Sequence, residues 1–162
     1  MSNDQYTKLT ISHNNKLVKG DIPNNITHLT FDIDFNRKLK VDVLPNSLKY
    51  LTFDWSYNRK LNKGVLPNSL THLTLSYYFN QRLDKDVLPN SLQYLSLGNF
   101  GQELNILPQS LRILELYSNF QILGNLPVGL EKLIICSYNK NSYIKIPYGC
   151  ILYDGMKNQI QI

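Results

Sequence analysis

The stretch Leu66-Pro67-Asn68-Ser69-Leu70-Thr71-His72-Leu73-Thr74-Leu75 contains the unit from which the chain is built. Its opening word, Leu-Pro-Asn-Ser-Leu, stands at 44–48, 66–70 and 88–92. All seven prolines of the 162-residue chain follow an aliphatic residue, and their spacings are 22, 22, 22, 19, 19 and 20 residues. A unit this short cannot bury its own apolar side chains, so we expect the repeats to stack as a solenoid.

Apolar residues recur at equal positions of successive repeats and form two columns. The first column is Leu29, Leu51, Leu73, Leu95, Leu114 and Leu133, and the second is Phe31, Phe53, Leu75, Leu97, Leu116 and Ile135. The alternation of these residues with polar and aromatic ones predicts a short strand in each repeat, with both columns facing inward. Copies of this strand would lie ~4.8 Å apart in a parallel sheet. The return segments are rich in Asn and broken by Gly or Pro, which predicts extended chain or short second strands.

The sequence therefore predicts an all-β-dominated solenoid, a leucine-rich-repeat-like right-handed coil with a parallel β-sheet and little helix. We predict an N-terminal cap, six repeats and a C-terminal cap. Their bounds are 1–21 for the first cap, 22–43, 44–65, 66–87, 88–106, 107–125 and 126–145 for the repeats, and 146–162 for the second cap. The end segments are degenerate copies of the repeat, as expected where a solenoid must cover its core.

The first three repeats share a second motif, an aromatic residue followed by Asn and, three residues later, Leu. Its copies are Phe35-Asn36-Arg37-Lys38-Leu39, Tyr57-Asn58-Arg59-Lys60-Leu61 and Phe79-Asn80-Gln81-Arg82-Leu83. Together with the Leu-Pro-Asn-Ser word, the motif resembles the FNIP repeat, a leucine-rich-repeat relative of social amoebae and giant DNA viruses. The resemblance covers about residues 22–147 and implies a partner-binding module. We expect the motif asparagines to bond backbone groups at a bend.

Strand alternation places two rows of side chains on the outward face of the predicted sheet. The predicted partner-binding residues are His28, Thr30, Tyr50, Thr52, His72, Thr74, Tyr94 and Ser96. Tyrosine and histidine offer a rigid amphipathic surface of the kind enriched at interfaces. The alternative is that β-propensity alone selects Thr and Tyr on an exposed strand. We predict a protein-interaction module that binds an unidentified protein or a second copy of itself, as a homodimer.

A basic ridge on the return side suggests an alternative function, binding of a polyanion or nucleic acid. The ridge consists of Arg37, Lys38, Arg59, Lys60 and Arg82, in a chain of net charge +5. Such ridges can bind phosphate backbones. However, aspartates interleave with these residues and no aromatic residue alternates with them for base stacking. We therefore expect a solvated, salt-bridged edge and do not expect nucleic acid as the partner.

The sequence offers no constellation for catalysis or metal binding. It lacks Gly-x-Gly-x-x-Gly, Gly-x-Ser-x-Gly and Cys-x-x-Cys. His28 and His72 would lie two strands apart, ~9.6 Å, which is too far for two ligands of one zinc ion. We predict no catalytic residues, no metal, no cofactor and no enzymatic activity. With no secretory signal and no long apolar run, we expect no membrane contact and a cytoplasmic location, the host cytoplasm if the source is viral.

Overall fold

The structure is a computed structural model, and it describes residues 7–104, 106–117, 122–123, 125–137 and 143–160. These ranges contain strands and turns and no helix. The strands are β1 (Lys8–Ile11), β2 (His28–Phe31), β3 (Tyr50–Phe53), β4 (His72–Thr74), β5 (Tyr94–Leu97), β6 (Ile113–Leu116), β7 (Ile122–Leu123), β8 (Lys132–Ile135), β9 (Tyr143–Ile144) and β10 (Ile151–Asp154).

Eight of these strands form one parallel sheet in the order β1-β2-β3-β4-β5-β6-β8-β10. The register joins equal repeat positions, so that His28 pairs with Tyr50, Tyr50 with His72 and His72 with Tyr94. β7 and β9 lie in two return segments and pair as a second, two-stranded parallel sheet. Strand order follows chain order because each coil places its strand beside the preceding one. The predicted parallel-strand solenoid is therefore confirmed, and short second strands occur as expected.

The two apolar columns form the interior. Every leucine of the first column is at most 1% exposed, and every residue of the second column is at most 2% exposed. Behind them, Phe35, Tyr57, Phe79 and Phe100 stack ring on ring through four coils, with centroids 6.1–6.2 Å apart. Each coil thus buries its apolar side chains against the neighbouring coils, as the repeat pattern predicts.

The Leu-Pro-Asn-Ser word closes a turn and also ties neighbouring coils together. After each of the seven prolines, the residue three positions later donates its N–H to the proline carbonyl at 3.0–3.2 Å. The serine hydroxyl then donates to a carbonyl of the preceding coil, as Ser69 does to Leu48 at 2.7 Å and Ser91 does to Leu70 at 2.6 Å. A short word can therefore set both the bend and the stacking, because it supplies a fixed φ and a side-chain donor.

A ladder of asparagine side chains joins the coils on the return side. The Oδ1 of each asparagine accepts a hydrogen bond from the backbone N–H one coil later: Asn36 to Asn14 at 3.0 Å, Asn58 to Asn36 at 3.1 Å and Asn80 to Asn58 at 3.1 Å. The ladder ends where the Gly101 N–H donates to Asn80 at 2.9 Å, because glycine has no side chain to continue it. The predicted structural role of these asparagines is confirmed.

Asn58→Ala should lower the free energy of unfolding by about 2 kcal/mol. The Asn58 Oδ1 accepts from the Asn80 backbone N–H at 3.1 Å and from the Gln81 side-chain amide at 3.0 Å, and alanine leaves both donors without this acceptor. Asn46→Ala is the control, because Asn46 is exposed in a proline turn, and we expect a loss within about 0.5 kcal/mol. Urea unfolding measures both. Equal losses would contradict the role of the ladder.

The segments predicted as caps contribute strands to the main sheet. β1 lies within 1–21 and pairs in register with β2, and β10 lies within 146–162 and pairs in register with β8. Beyond β10 the chain turns back, so that Ile160 donates to Leu152 at 2.8 Å and Asp154 donates to Asn158 at 3.0 Å. This antiparallel return covers the outer edge of β10 and blocks pairing with another strand there.

Candidate interaction surface

Four rings on the exposed sheet face stack in one line, which we call the ring row: His28, Tyr50, His72 and Tyr94. Their centroids are 4.2, 4.3 and 5.7 Å apart, and adjacent ring planes differ by 9–27°. Tyr50 is 37% exposed, and the other three rings are partly exposed. The predicted outward alignment of these residues is confirmed. Parallel pairing imposes it, because equal positions lie opposite each other in the register.

Two threonines orient the histidines of the ring row, and sequence reasoning missed them. The hydroxyl oxygens of Thr27 and Thr71 lie 2.9 Å from Nδ1 of His28 and His72, respectively. The Thr71 hydroxyl donates its proton to the Lys49 carbonyl at 3.1 Å. While the Thr71 hydroxyl donates to the Lys49 carbonyl, its oxygen can only accept from His72, and this arrangement favours the tautomer that carries the proton on Nδ1. The contact could have been predicted from the Thr-His dipeptide, which occurs in two repeats.

The free energy of unfolding should fall in mild acid, because the two histidines of the ring row titrate there. Burial, and next the charge of Lys8, lowers the pKa of His28 below 6.5, and burial followed by the charge of His28 lowers the pKa of His72. Below pH 6.5 the unfolded chain then binds more protons than the folded one, so the free energy of unfolding falls as pH falls, until the folded histidines protonate too. The change is smaller than for fully buried histidines, because both rings keep solvent contact.

Urea unfolding between pH 5 and pH 8 measures this effect, with the double variant His28→Phe and His72→Phe as the control. Phenylalanine keeps a ring in the stack and does not titrate. We expect the variant to lose part of the pH dependence in this window. An unchanged pH dependence would contradict the assignment to these two side chains.

The second outward row is less accessible than the sequence suggests. Thr30, Thr52 and Thr74 are partly exposed, whereas Ser96 is only 3% exposed. The prediction that Ser96 presents its side chain on the surface is therefore wrong. Ser96 lies at the bottom of its row, in a cleft that Tyr77 and Tyr117 also line.

This cleft, which we call the aromatic cleft, has a volume of about 250 Å³ and lies at the ends of β3–β6. Three of its exposed lining residues are aromatic: Trp55 is 47% exposed, Tyr77 42% and Tyr117 45%. Sequence reasoning missed Trp55 and Tyr77. A signal was present, because Ile33, Trp55 and Tyr77 follow one another at a spacing of 22 residues and all three are large and exposed.

Glu115 connects the ring row to the aromatic cleft. One carboxylate oxygen accepts the Tyr94 hydroxyl at 2.6 Å, and the other accepts the Tyr117 hydroxyl at 3.1 Å. Burial, followed by the charge of Glu115, raises the pKa of Tyr117 to about 12. Burial and the hydrogen bond to Glu115 also raise the pKa of Tyr94. Both tyrosines therefore remain neutral hydrogen-bond donors at neutral pH.

The basic ridge lies on the return side of the first coils, around a second cleft of about 460 Å³. That cleft is lined by Lys16, Asn36, Arg37, Lys38, Lys40, Arg59 and Lys60. Lys60 and Arg82 both contact Asp84, at 2.8 and 3.1 Å. The Nε of Arg59 donates to the Asn36 carbonyl at 3.0 Å. Part of the ridge is therefore neutralised or bound within the fold, as the interleaved aspartates predict.

Within the described ranges, no group of three or more His, Cys, Asp or Glu side chains is arranged to hold a metal ion. The two cysteines are free thiols there, and burial raises the pKa of both Cys136 and Cys150. Raised thiol pKa values oppose nucleophilic reactivity, since the thiolate is the reactive form. The same ranges contain no membrane-spanning helix.

Comparison with known protein families shows which family the chain belongs to. The sequence model of the FNIP repeat matches residues 13–54 and 57–100, more than half of the chain. The chain belongs to the FNIP repeat family. The resemblance inferred from its motifs is thereby confirmed, and FNIP and leucine-rich-repeat solenoids are typically non-catalytic.

A solved structure shows the same fold. The crystal structure of CroV588, described as a novel circular LRR protein structure, is similar to this FNIP-repeat chain with a TM-score of 0.74 and 41% sequence identity. The match covers 88% of this chain and 23% of the CroV588 chain, so the protein studied spans about a quarter of that neighbour. No curated protein sequence is similar to the chain.

Proposed function

We propose that this FNIP-repeat protein is a non-catalytic interaction module that binds a protein partner through the exposed face of its main sheet. The ring row carries the proposal: four stacked rings lie on that face. No other strand in the described part of the chain packs over it. Stacking holds the rings in place before binding, so a partner would meet them at a low cost in side-chain entropy.

The composition of the face also supports the proposal. Exposed aromatic side chains continue from the ring row to Trp55, Tyr77 and Tyr117 at the ends of the strands. Tyrosine and tryptophan are enriched among the residues that dominate binding energy in protein interfaces. Solenoid repeat families commonly use such extended faces for interactions between proteins.

A second copy of the chain remains a candidate partner. The covered outer edge of β10 opposes edge-to-edge pairing at that end of the sheet. We propose that a homodimer would also use the exposed face. A polyanion is not favoured, because Asp84 pairs with Lys60 and Arg82 in the ridge. We also propose a viral or amoebal source, which the giant-virus neighbour supports. Cytoplasmic location stays a prediction.

The double variant Tyr50→Lys and Tyr94→Lys tests the proposal. Two lysines add desolvation cost and charge to the centre of the face, and we expect them to weaken partner binding at least about tenfold. The matched control is Val128→Lys with Tyr148→Lys, because both residues are highly exposed in proline turns away from the face. Light scattering measures self-association, and quantitative affinity capture compares the partners retained by each protein.

The expected result is a partner, or a dimer, that the wild type and the control retain and the face variant loses. Circular dichroism verifies that all three proteins are folded. If the face variant keeps the mass and the partners of the wild type, the sheet face is not the binding surface.

A further inference from the structure

The walls of the aromatic cleft are already fixed without a ligand. The rings of Trp55 and Tyr77 are stacked across neighbouring coils, with centroids 5.2 Å apart and planes 14° apart. Tyr78 packs edge-on against both, at 5.5 Å from Trp55 and 5.3 Å from Tyr77. Three mutually packed rings cannot rotate independently. The exposed side chains of Trp55 and Tyr77 therefore form a wall held in place by mutual packing, and the π-face of an aromatic ring carries negative electrostatic potential.

The charges around the cleft have the same sign. Asp54 is the one charged residue among the described residues that line the cleft, and it is exposed. Glu115 lies beside the cleft, because its carboxylate accepts a hydrogen bond at 3.1 Å from the hydroxyl of Tyr117, which lines the cleft. The basic ridge lines a different cleft, on the return side. A cation is therefore the complementary ligand, although the whole chain carries a net charge of +5.

The floor of the cleft favours an apolar stem over a polyhydroxylated ligand. Phe53 and Leu75 belong to the lining, but they are only 1% and 2% exposed and offer little apolar surface of their own, so what matters is how few polar groups the floor leaves free. The Ser76 hydroxyl already donates to the Tyr57 carbonyl at 2.6 Å, and Ser96 is only 3% exposed. A sugar would need several free hydrogen-bonding groups at this floor, whereas an alkyl chain needs few.

We infer that the aromatic cleft binds the guanidinium group of an arginine side chain presented by the protein partner, an inference that rests on the proposed function. A guanidinium is planar and stacks on aromatic rings, and its donors match a carboxylate in a two-pronged geometry. The stacked pair of Trp55 and Tyr77 supplies the ring face, Asp54 supplies the carboxylate, and the three methylene groups face a floor with few free hydrogen-bonding groups.

The test uses Trp55 as a reporter, because it is the single tryptophan of the chain. Its indole N–H gives one side-chain signal in a nitrogen–proton correlation NMR spectrum. The probe is N-acetyl-arginine methylamide, and the matched probe is the citrulline analogue, which has nearly the same shape and no charge. We expect a saturable shift with the arginine probe and binding at least about fivefold weaker with the citrulline probe.

Variants of the chain locate the site. We expect Asp54→Asn and Tyr77→Ala each to weaken binding of the arginine probe at least about threefold. Asp42→Asn is the control and should bind like the wild type, because Asp42 is an exposed aspartate outside the cleft, and asparagine also tolerates its positive φ of 65°. Melting temperatures of the variants exclude unfolding as the cause of a loss.

Several outcomes would overturn the inference. These are no saturable shift with the arginine probe, equal binding of the citrulline probe, or full binding by Asp54→Asn. The test is separable from that of the proposed function. If partner capture is lost in the Tyr50→Lys and Tyr94→Lys variant while the arginine probe fails to bind the wild type, the sheet face remains the interaction surface and the arginine site is removed from it.

Discussion

Replacement of Gly98 by alanine is expected to lower the free energy of unfolding by about 3 kcal/mol. A Cβ atom at this position would overlap the Tyr77 Cα and lie 2.7 Å from the Tyr77 carbonyl oxygen. Both are backbone atoms, so no side-chain rotation relieves the overlap and the two coils must separate. That movement strains the hydrogen bond from the Asn99 N–H to the Tyr77 carbonyl, now 2.8 Å long.

Gly101→Ala is the matched control for this prediction. A Cβ there would lie 3.6 Å from the Asn80 Oδ1, which is an ordinary van der Waals contact, and we expect a change within about 1 kcal/mol. Urea unfolding gives the stabilities, and Trp55 fluorescence reports on the aromatic cleft, because Tyr77 stacks on Trp55. If both glycine variants are equally stable, the close approach at Gly98 has no structural importance.

Leu73→Ala is expected to reduce the free energy of unfolding by about 3–4 kcal/mol. Leu73 is fully buried in the first apolar column, between Leu51 and Leu95 of the adjacent strands. The register of the sheet and the side-chain ladders hold these neighbours in place, so they cannot collapse into the space that alanine leaves. The coils on both sides lose contacts, since each repeat of a solenoid is stabilised by its neighbours.

Thr74→Ala on the same strand is the control for the Leu73 prediction. Thr74 is partly exposed on the outward face, and we expect a loss below about 1 kcal/mol, arising from strand propensity. Chemical denaturation of the two variants compares one inward and one outward side chain at adjacent positions. A loss for Thr74→Ala as large as that for Leu73→Ala would mean that the inward and outward faces of β4 are assigned incorrectly.

Stacking explains why so much of the fold follows from the repeat. In a solenoid, residues at equal positions of successive repeats become neighbours, so residues that align between the repeats also lie in a line in the structure. The pairing of Tyr50 with His72, the burial of Leu73 and the asparagine ladder could therefore be predicted from spacing alone. The same reasoning extends to the ends, where the degenerate copies of the repeat supply β1 and β10 to the sheet.

Accessibility and fine geometry did not follow from the repeat. Ser96 occupies an outward position of its strand, yet it is only 3% exposed. Whether a side chain is accessible depends on the sizes of its neighbours in other coils. The position of a residue within its repeat does not predict those sizes. The contact between Thr71 and His72 likewise depends on atomic distances, which the sequence positions of the two residues do not give.

The sequence by itself determined the coil, its inward leucines and the line of rings outside, because stacking in register buries the apolar face of every repeat and places equal positions side by side. The tertiary structure alone decided where a ligand-sized space opens. The aromatic cleft exists because large side chains after β3 and β4 and at the end of β6 surround small and buried residues between them. Its shape results from differences between the repeats, whereas the fold results from what the repeats share.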